Sequence, residues 1–142
     1  MIENVVIQNY KSIRALSLPL RSLNVLIGAN GSGKSNFLSS LEFMKFLVEN
    51  SVNFQPGQRV VILPHKLSSR EEPSEFSIQF IASGVRYAYG FSVQDGLIDE
   101  EYLYYFPNSR QTKIFERKGL KVTAGSKYKH SFGVSLEVLQ EN

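Results

Sequence analysis

The sequence predicts an α/β fold: a mixed β-sheet in which one strand runs through a glycine-rich loop into a helix, followed by an antiparallel β meander. Three observations carry this expectation. A nearly unbroken apolar run at residues 23–27 stops on Gly28, and apolar residues then recur at helical spacing from residue 34 to residue 49. From residue 75 onward the apolar period changes to two. With 142 residues, 42% hydrophobic and 12% aromatic, the chain can bury one real core and holds one domain, or part of one.

The opening reads as three short strands, at residues 2–7, 13–18 and 23–27, separated by Asn9-Tyr10-Lys11-Ser12 and by residues 19–22. The third, Leu23-Asn24-Val25-Leu26-Ile27, has the composition of a strand buried on both faces of a sheet. Phe37, Leu38, Leu41, Met44, Leu47 and Val48 then form one helical stripe that can pack on that sheet, and the helix is expected to stop near Asn50-Ser51. Residues 1–50 therefore hold the strands, the glycine loop and its helix. Residues 51–74 carry Pro56-Gly57, Pro64, Pro73 and the polar run from 68 to 72, with only 60–63 looking regular, and are expected to form a long, partly mobile excursion.

Residues 75–125 are expected to form the meander. Phe76, Ile78, Phe80 and Ala82 alternate with polar neighbours, and Val85, Tyr87, Tyr89, Phe91 and Val93 do the same after Ser83-Gly84. Asp95-Gly96 is a two-residue hairpin signal, because both central positions of a type I′ turn need positive φ; residues 97–106 supply the returning strand. Pro107-Asn108-Ser109 and Lys118-Gly119 punctuate two more strands near 113–117 and 120–123. The aromatic stripe on these strands reads first as core, and only second as a platform for stacking bases.

Gly28-Ala29-Asn30-Gly31-Ser32-Gly33-Lys34-Ser35 matches GxxxxGK[ST] at every fixed position and lies between an expected strand and an expected helix. Phosphate oxygens need several donors converging on one point, and backbone N–H groups converge only where the chain curls tightly, which glycine permits. The helix that follows adds its positive end. On this reading the fold is that of a P-loop NTPase, ATP and Mg²⁺ are the cofactors, Lys34 reaches the β- and γ-phosphates, and the Ser35 hydroxyl ligates Mg²⁺. The bland alternative is a glycine-rich turn that only joins strand to helix.

Composition narrows the setting. Cysteine is absent and only His65 and His130 are present, so neither a disulfide framework nor a Cys/His metal site is expected. No apolar stretch approaches the roughly 18 residues of a membrane span, and the N-terminus lacks the basic-then-apolar order of a secretory signal, so a cytoplasmic protein without membrane contact is expected. The formal charge is +3, but the excess is concentrated: Arg110, Lys113, Arg117, Lys118, Lys121, Lys127 and Lys129 stand against Glu116 alone between residues 110 and 130. Residues 110–129 are thus a candidate DNA contact or, equally, a solvated lysine-rich hairpin.

The loop Gly28-Ala29-Asn30-Gly31-Ser32-Gly33-Lys34-Ser35-Asn36, with Asn30 before Gly31 and Asn36 after Ser35, resembles that of the RecF, SMC and OLD group of ABC-type ATPases. The opening is similar too: a strand, Asn9-Tyr10-Lys11-Ser12-Ile13, a second strand, and 23–27 running into the loop. The resemblance implies that Asn36, Lys11 and Ser12 join residues 28–35 as nucleotide contacts, although a plain exposed turn at Lys11-Ser12 remains open. Residues 76–80, 87–91, 98–103 and 114–117 look like the antiparallel part of RecF/OLD-like AAA family ATPases of abortive-infection and anti-phage systems. That likeness implies an ABC-ATPase head acting in DNA repair or antiviral defence, ATP-driven homodimerisation of heads, and a DNA or nuclease partner.

Such an ATPase also needs an acidic pair ending an apolar strand and a signature loop. Leu97-Ile98-Asp99-Glu100 imitates the first, but follows the Asp95-Gly96 turn directly; Leu67-Ser68-Ser69-Arg70-Glu71 imitates the second, but has Arg70 where glycine is needed. The resemblance places both motifs and the switch histidine further downstream. Residues 1–142 are therefore expected to be the N-terminal portion of one head, an incomplete domain that binds nucleotide weakly and has no catalytic residue of its own beyond the charge of Lys34. Gln140 is a candidate for the glutamine joining γ-phosphate to the helical subdomain. Two other readings stand: an ATP-binding subunit of a membrane ABC transporter, with Tyr10 stacking on adenine, or a truncated, non-catalytic partner of a longer ATPase.

Overall fold

A computed structural model of the chain describes residues 1–50, 57–69 and 71–128. Strands β1 (Ile2–Tyr10) and β2 (Ile13–Pro19) form a hairpin, helix α1 (Lys34–Asn50) follows the glycine loop, and β3 (Ser74–Ala82), β4 (Val85–Gln94), β5 (Leu97–Tyr105), β6 (Thr112–Lys118) and β7 (Lys121–Ala124) complete one seven-stranded sheet. The order is β2-β1-β3-β4-β5-β6-β7, and every pairing is antiparallel.

The meander follows the sequence closely because its signals are local. Ser83 and Gly84 have φ of 50° and 75°, and Asp95 and Gly96 of 50° and 76°, so both tight turns use the left-handed pairs that match the twist of the flanking strands. Period-two alternation then sends Phe76, Tyr89, Phe91 and Val93 to the face that α1 covers. The helix presents Phe37, Met44 and Leu47 to that face, while Leu38 and Val48 of the expected stripe stay half exposed. Phe76 lies at the centre, its ring 5.2 Å from Tyr10, 5.3 Å from Phe43 and 5.0 Å from Phe91. The aromatic stripe of β3 and β4 is therefore core.

Two expectations fail. The sheet is not mixed but antiparallel throughout the described residues, and 23–27 is not a buried strand: Leu23, Val25 and Ile27 are 82%, 73% and 90% exposed. A strand exists through its neighbours, and neither β2 nor β7, the two sheet edges, pairs with this run. The Asn24 side chain instead closes a local turn, accepting from the Arg21 N–H at 2.9 Å and donating to the Arg21 carbonyl at 2.8 Å. Apolar composition and the glycine loop that follows carried the expectation, and neither supplies a partner.

Part of the expected excursion is tied to the sheet. The Val60 N–H donates to the Gly96 carbonyl (2.7 Å), Arg59 Nη1 to the Asp95 carbonyl (3.0 Å), and the Leu63 carbonyl accepts from the Lys11 N–H (2.8 Å). Val60 is buried, and Ile62 packs on the core cluster. Residues 57–69 thus run as a strap from the β4–β5 turn to the β1–β2 turn.

On the opposite face Gly90 pairs with Tyr102, whose ring covers it so closely that a Cβ at residue 90 would stand 2.5 Å from the Tyr102 hydroxyl. Tyr102 in turn stacks on Tyr104 at 4.9 Å. Gly90→Ala is expected to destabilise the protein by about 1–3 kcal/mol through displacement of that ring. In a Tyr102→Ala background the same change should be neutral or stabilising, since alanine suits a strand better than glycine. Equal costs in the two backgrounds, measured by urea unfolding, would rule out the ring as the cause.

Candidate functional site

Residues 28–33 carry the chain from the apolar run into α1. Gly31 and Gly33 have φ of 82° and 98°, a region that side chains oppose. A Cβ on Gly28 would meet Ser32 Oγ at 2.6 Å, and one on Gly33 would meet Ser12 Oγ at 3.2 Å. The Ser32 N–H donates to the Ala29 carbonyl (3.2 Å), and the Phe37 N–H to the Gly33 carbonyl (3.0 Å), which starts the helix.

Lys34, the first residue of α1, folds back over this loop. Its ammonium donates to the Gly28 carbonyl, to the Ala29 carbonyl at 2.8 Å and to Ser32 Oγ at 3.2 Å. All three ammonium hydrogens thus have loop oxygens as partners. The first turn of α1 contains no acidic residue, so a cation and the positive end of the helix dipole stand together without a carboxylate on that turn. Ser35 and Asn30 are exposed on the same stretch.

The β1–β2 turn lies against this helix start. Asn36 Nδ2 donates to Ser12 Oγ at 2.7 Å, and the Lys11 ammonium donates to Ser39 Oγ at 2.9 Å. Ser39 Oγ also lies 3.1 Å from the Tyr10 hydroxyl and donates to the Asn36 carbonyl at 3.0 Å. Lys11 and Ser12 are therefore brought onto the first turns of α1 beside Gly33 and Asn36. Sequence reasoning did not single out Ser39, or Asn9, which is fully buried with φ of 53°. An asparagine ahead of a tight turn is a weak signal of a left-handed residue and nothing more specific.

Other expected groups fall elsewhere. The Tyr10 ring is 5% exposed and packs between Phe43 and Phe76, so it does not offer a face to adenine. Asp99 and Glu100 lie inside β5, and Glu100 pairs with Lys118 at 2.9 Å. Arg70, Lys129, His130 and Gln140 lie outside the described residues.

Three of the seven cations in the basic block are paired with carboxylates. Glu101 pairs with Arg117 at 2.7 Å, Glu100 with Lys118, and Glu116 with Lys113 at 3.0 Å. Arg110, Lys121 and Lys127 stand outside these pairs. Burial and Glu101, to which it donates at 2.8 Å, raise the Tyr89 hydroxyl far above the ordinary phenol range. Hydrogen bonds from the Tyr104 hydroxyl and then from Lys113 hold the Glu116 carboxyl below its ordinary value. A lowered folded-state value means that the stabilisation is full above the unfolded value, near pH 4, and is lost as pH falls through the folded one. The melting temperatures of wild type and Glu116→Gln should therefore differ slightly at pH 7 and converge toward pH 3; a gap that widens on acidification contradicts the assignment.

No described helix is long and apolar enough to cross a membrane, and no cluster of three or more His, Asp or Glu side chains suited to a metal occurs among the described residues. The chain is similar to the DNA replication and repair protein RecF of Francisella tularensis subsp. mediasiatica (strain FSC147), at 35% identity over 65 residues. That match covers 45% of this chain but only 18% of the relative, so the chain spans less than a fifth of the curated protein it matches. Residues 23–128 match the family model described as AAA domain, putative AbiEii toxin, Type IV TA system. That span takes in the glycine loop, α1 and the meander, and with it the chain belongs to this AAA-domain family, of the AAA/RecF-like ABC-ATPase type.

Proposed function

We propose that residues 28–36, with Lys11 and Ser12, bind the polyphosphate of MgATP, and that the whole protein is an ABC-type ATPase head. The observation that carries this reading is the pairing of Lys34 with the start of α1. A cation in the first turn of a helix opposes the helix dipole, and the loop there is bent through two positive-φ glycines; both features become favourable when an anion occupies the loop. The donor set fits such a ligand. An ammonium, the hydroxyls of Ser32 and Ser35 and the amides of a curled loop are what phosphate oxygens accept from, and with no side chain on Gly28 or Gly33 the backbone lies close to Ser32 and Ser12.

Lys34 would leave the loop carbonyls for phosphate oxygens, and Ser35 would give its hydroxyl oxygen to Mg²⁺. The metal supplies charge neutralisation on the phosphates when bound. Hydrolysis, head dimerisation and work on DNA or in phage defence are assigned to the full-length protein. With three cations of residues 110–129 in ion pairs, the DNA arm rests, among the described residues, on Arg110, Lys121 and Lys127. The reading as a transporter subunit loses its adenine contact, because Tyr10 is buried in the core.

The test is nucleotide binding and turnover by the full-length protein with and without Mg²⁺. Binding of MgATP with slow hydrolysis, unchanged by membrane extracts, supports the assignment. Absence of any nucleotide binding refutes it.

A further inference from the structure

We propose that Asn9 is a positioning residue for the nucleotide site, acting through Lys11 and Ser12; this rests on the loop's being a phosphate site. Asn9 is wholly buried, and every hydrogen-bonding group of its side chain is used. Oδ1 accepts from the His65 N–H at 2.8 Å, and Nδ2 donates to the Glu72 carbonyl at 2.7 Å and the Pro73 carbonyl at 3.3 Å. Its backbone carbonyl accepts from the Ser74 hydroxyl at 2.5 Å.

The purpose of this arrangement lies two residues on. Asn9 and Lys11 both have left-handed backbone, with φ of 53° and 51°, which asparagine tolerates and lysine does not favour. Two such residues in a four-residue turn persist only where the surroundings hold them. One side of the turn is held by residues 63–65 and 72–74, through Asn9 and through the Lys11 N–H on the Leu63 carbonyl at 2.8 Å. On the other side it delivers Ser12 to Asn36 and Gly33, and the Lys11 ammonium to Ser39. The amide of Asn9 therefore sets where the Lys11 ammonium and the Ser12 hydroxyl stand relative to the loop. Glycine at this position keeps the backbone angle and loses the clamp; aspartate keeps the acceptor for His65 but turns the donor side into a second acceptor facing two carbonyls.

The experiment is a double-mutant cycle on MgATP affinity in the full-length protein, with Asn9→Asp, Ser12→Ala and both together. Asn9→Asp is expected to raise Kd about tenfold, and Ser12→Ala to add little once Asn9 is changed. Failure of the wild-type protein to bind MgATP overturns the phosphate-site reading itself. Wild-type binding with an Asn9→Asp Kd unchanged, or with the two losses simply multiplying, overturns the positioning role, because a merely structural defect lowers stability without coupling to Ser12. Should Asn9→Asp not fold, Ser74→Ala removes one hydrogen bond from the same turn and is run in the same cycle. A Kd raised about threefold and coupled to Ser12 supports the proposal; an unchanged or uncoupled Kd overturns it.

Discussion

Replacing Lys34 by alanine in the full-length protein is expected to weaken MgATP binding by at least about 100-fold while leaving the fold intact. Charge-assisted hydrogen bonds contribute roughly 1.5–3 kcal/mol each, and an ammonium that reaches two phosphates makes at least two; a loss of about 3 kcal/mol corresponds to slightly more than two decades in Kd. The fold should survive because the partners of Lys34 are the carbonyls of an exposed loop, which water can satisfy in its place. Equilibrium titration gives the affinity and thermal unfolding the stability. A large loss of both together would mean that Lys34 is structural; no loss of affinity would mean that phosphate does not bind there.

The largest expected effect on stability belongs to Phe76. Its side chain is 1% exposed and contacts rings from β1, α1 and β4, so it joins the helix to the sheet. Truncation to alanine should cost about 3–5 kcal/mol, the lost transfer free energy together with a cavity that three large rings cannot readily fill. Against a typical total of about 5–15 kcal/mol, that lowers the melting temperature by about 10 °C or more. Leu38→Ala, on the half-exposed side of the same helix, should cost under about 1 kcal/mol and serves as the control. Similar costs for the two would mean that α1 does not pack as described. Because Lys34, Asn36 and Ser39 ride on α1, a milder lesion such as Phe76→Leu should also loosen the loop before the protein unfolds.

What could be read from the residues alone was what neighbouring residues decide. The Asp95-Gly96 and Ser83-Gly84 turns and the alternation in β3 and β4 appear where expected because turn chemistry and period two are properties of a few consecutive positions. Helix α1 begins at Lys34 and ends at Asn50, where it was expected to stop. The failures are non-local. Residues 23–27 look like a core strand, but a strand is defined by what lies beside it. Charge pairing is non-local too: residues 110–129 read as basic along the chain, and the β5–β6 register sets Glu100 opposite Lys118 and Glu101 opposite Arg117. Register depends on the hairpin between them, and no charge count contains it.

The site shows the same division. Residues 28–35 form a contiguous motif, so the loop was legible from spacing alone, as was the helix behind it. Lys11 and Ser12 came only through resemblance, and the structure gives the physical reason they belong nearby: Ser12 lies against Gly33 and Asn36. Asn9 was invisible because its partners, at positions 65 and 72–74, are 56 to 65 residues away.

Hydrogen exchange on the full-length protein, with and without MgATPγS, tests the central claim most directly. Protection should appear on the amides of residues 28–36, with a smaller effect at residues 11 and 12. Saturating nucleotide that leaves the amides of Gly31, Gly33, Lys34 and Ser35 exchanging as in the free protein would contradict it.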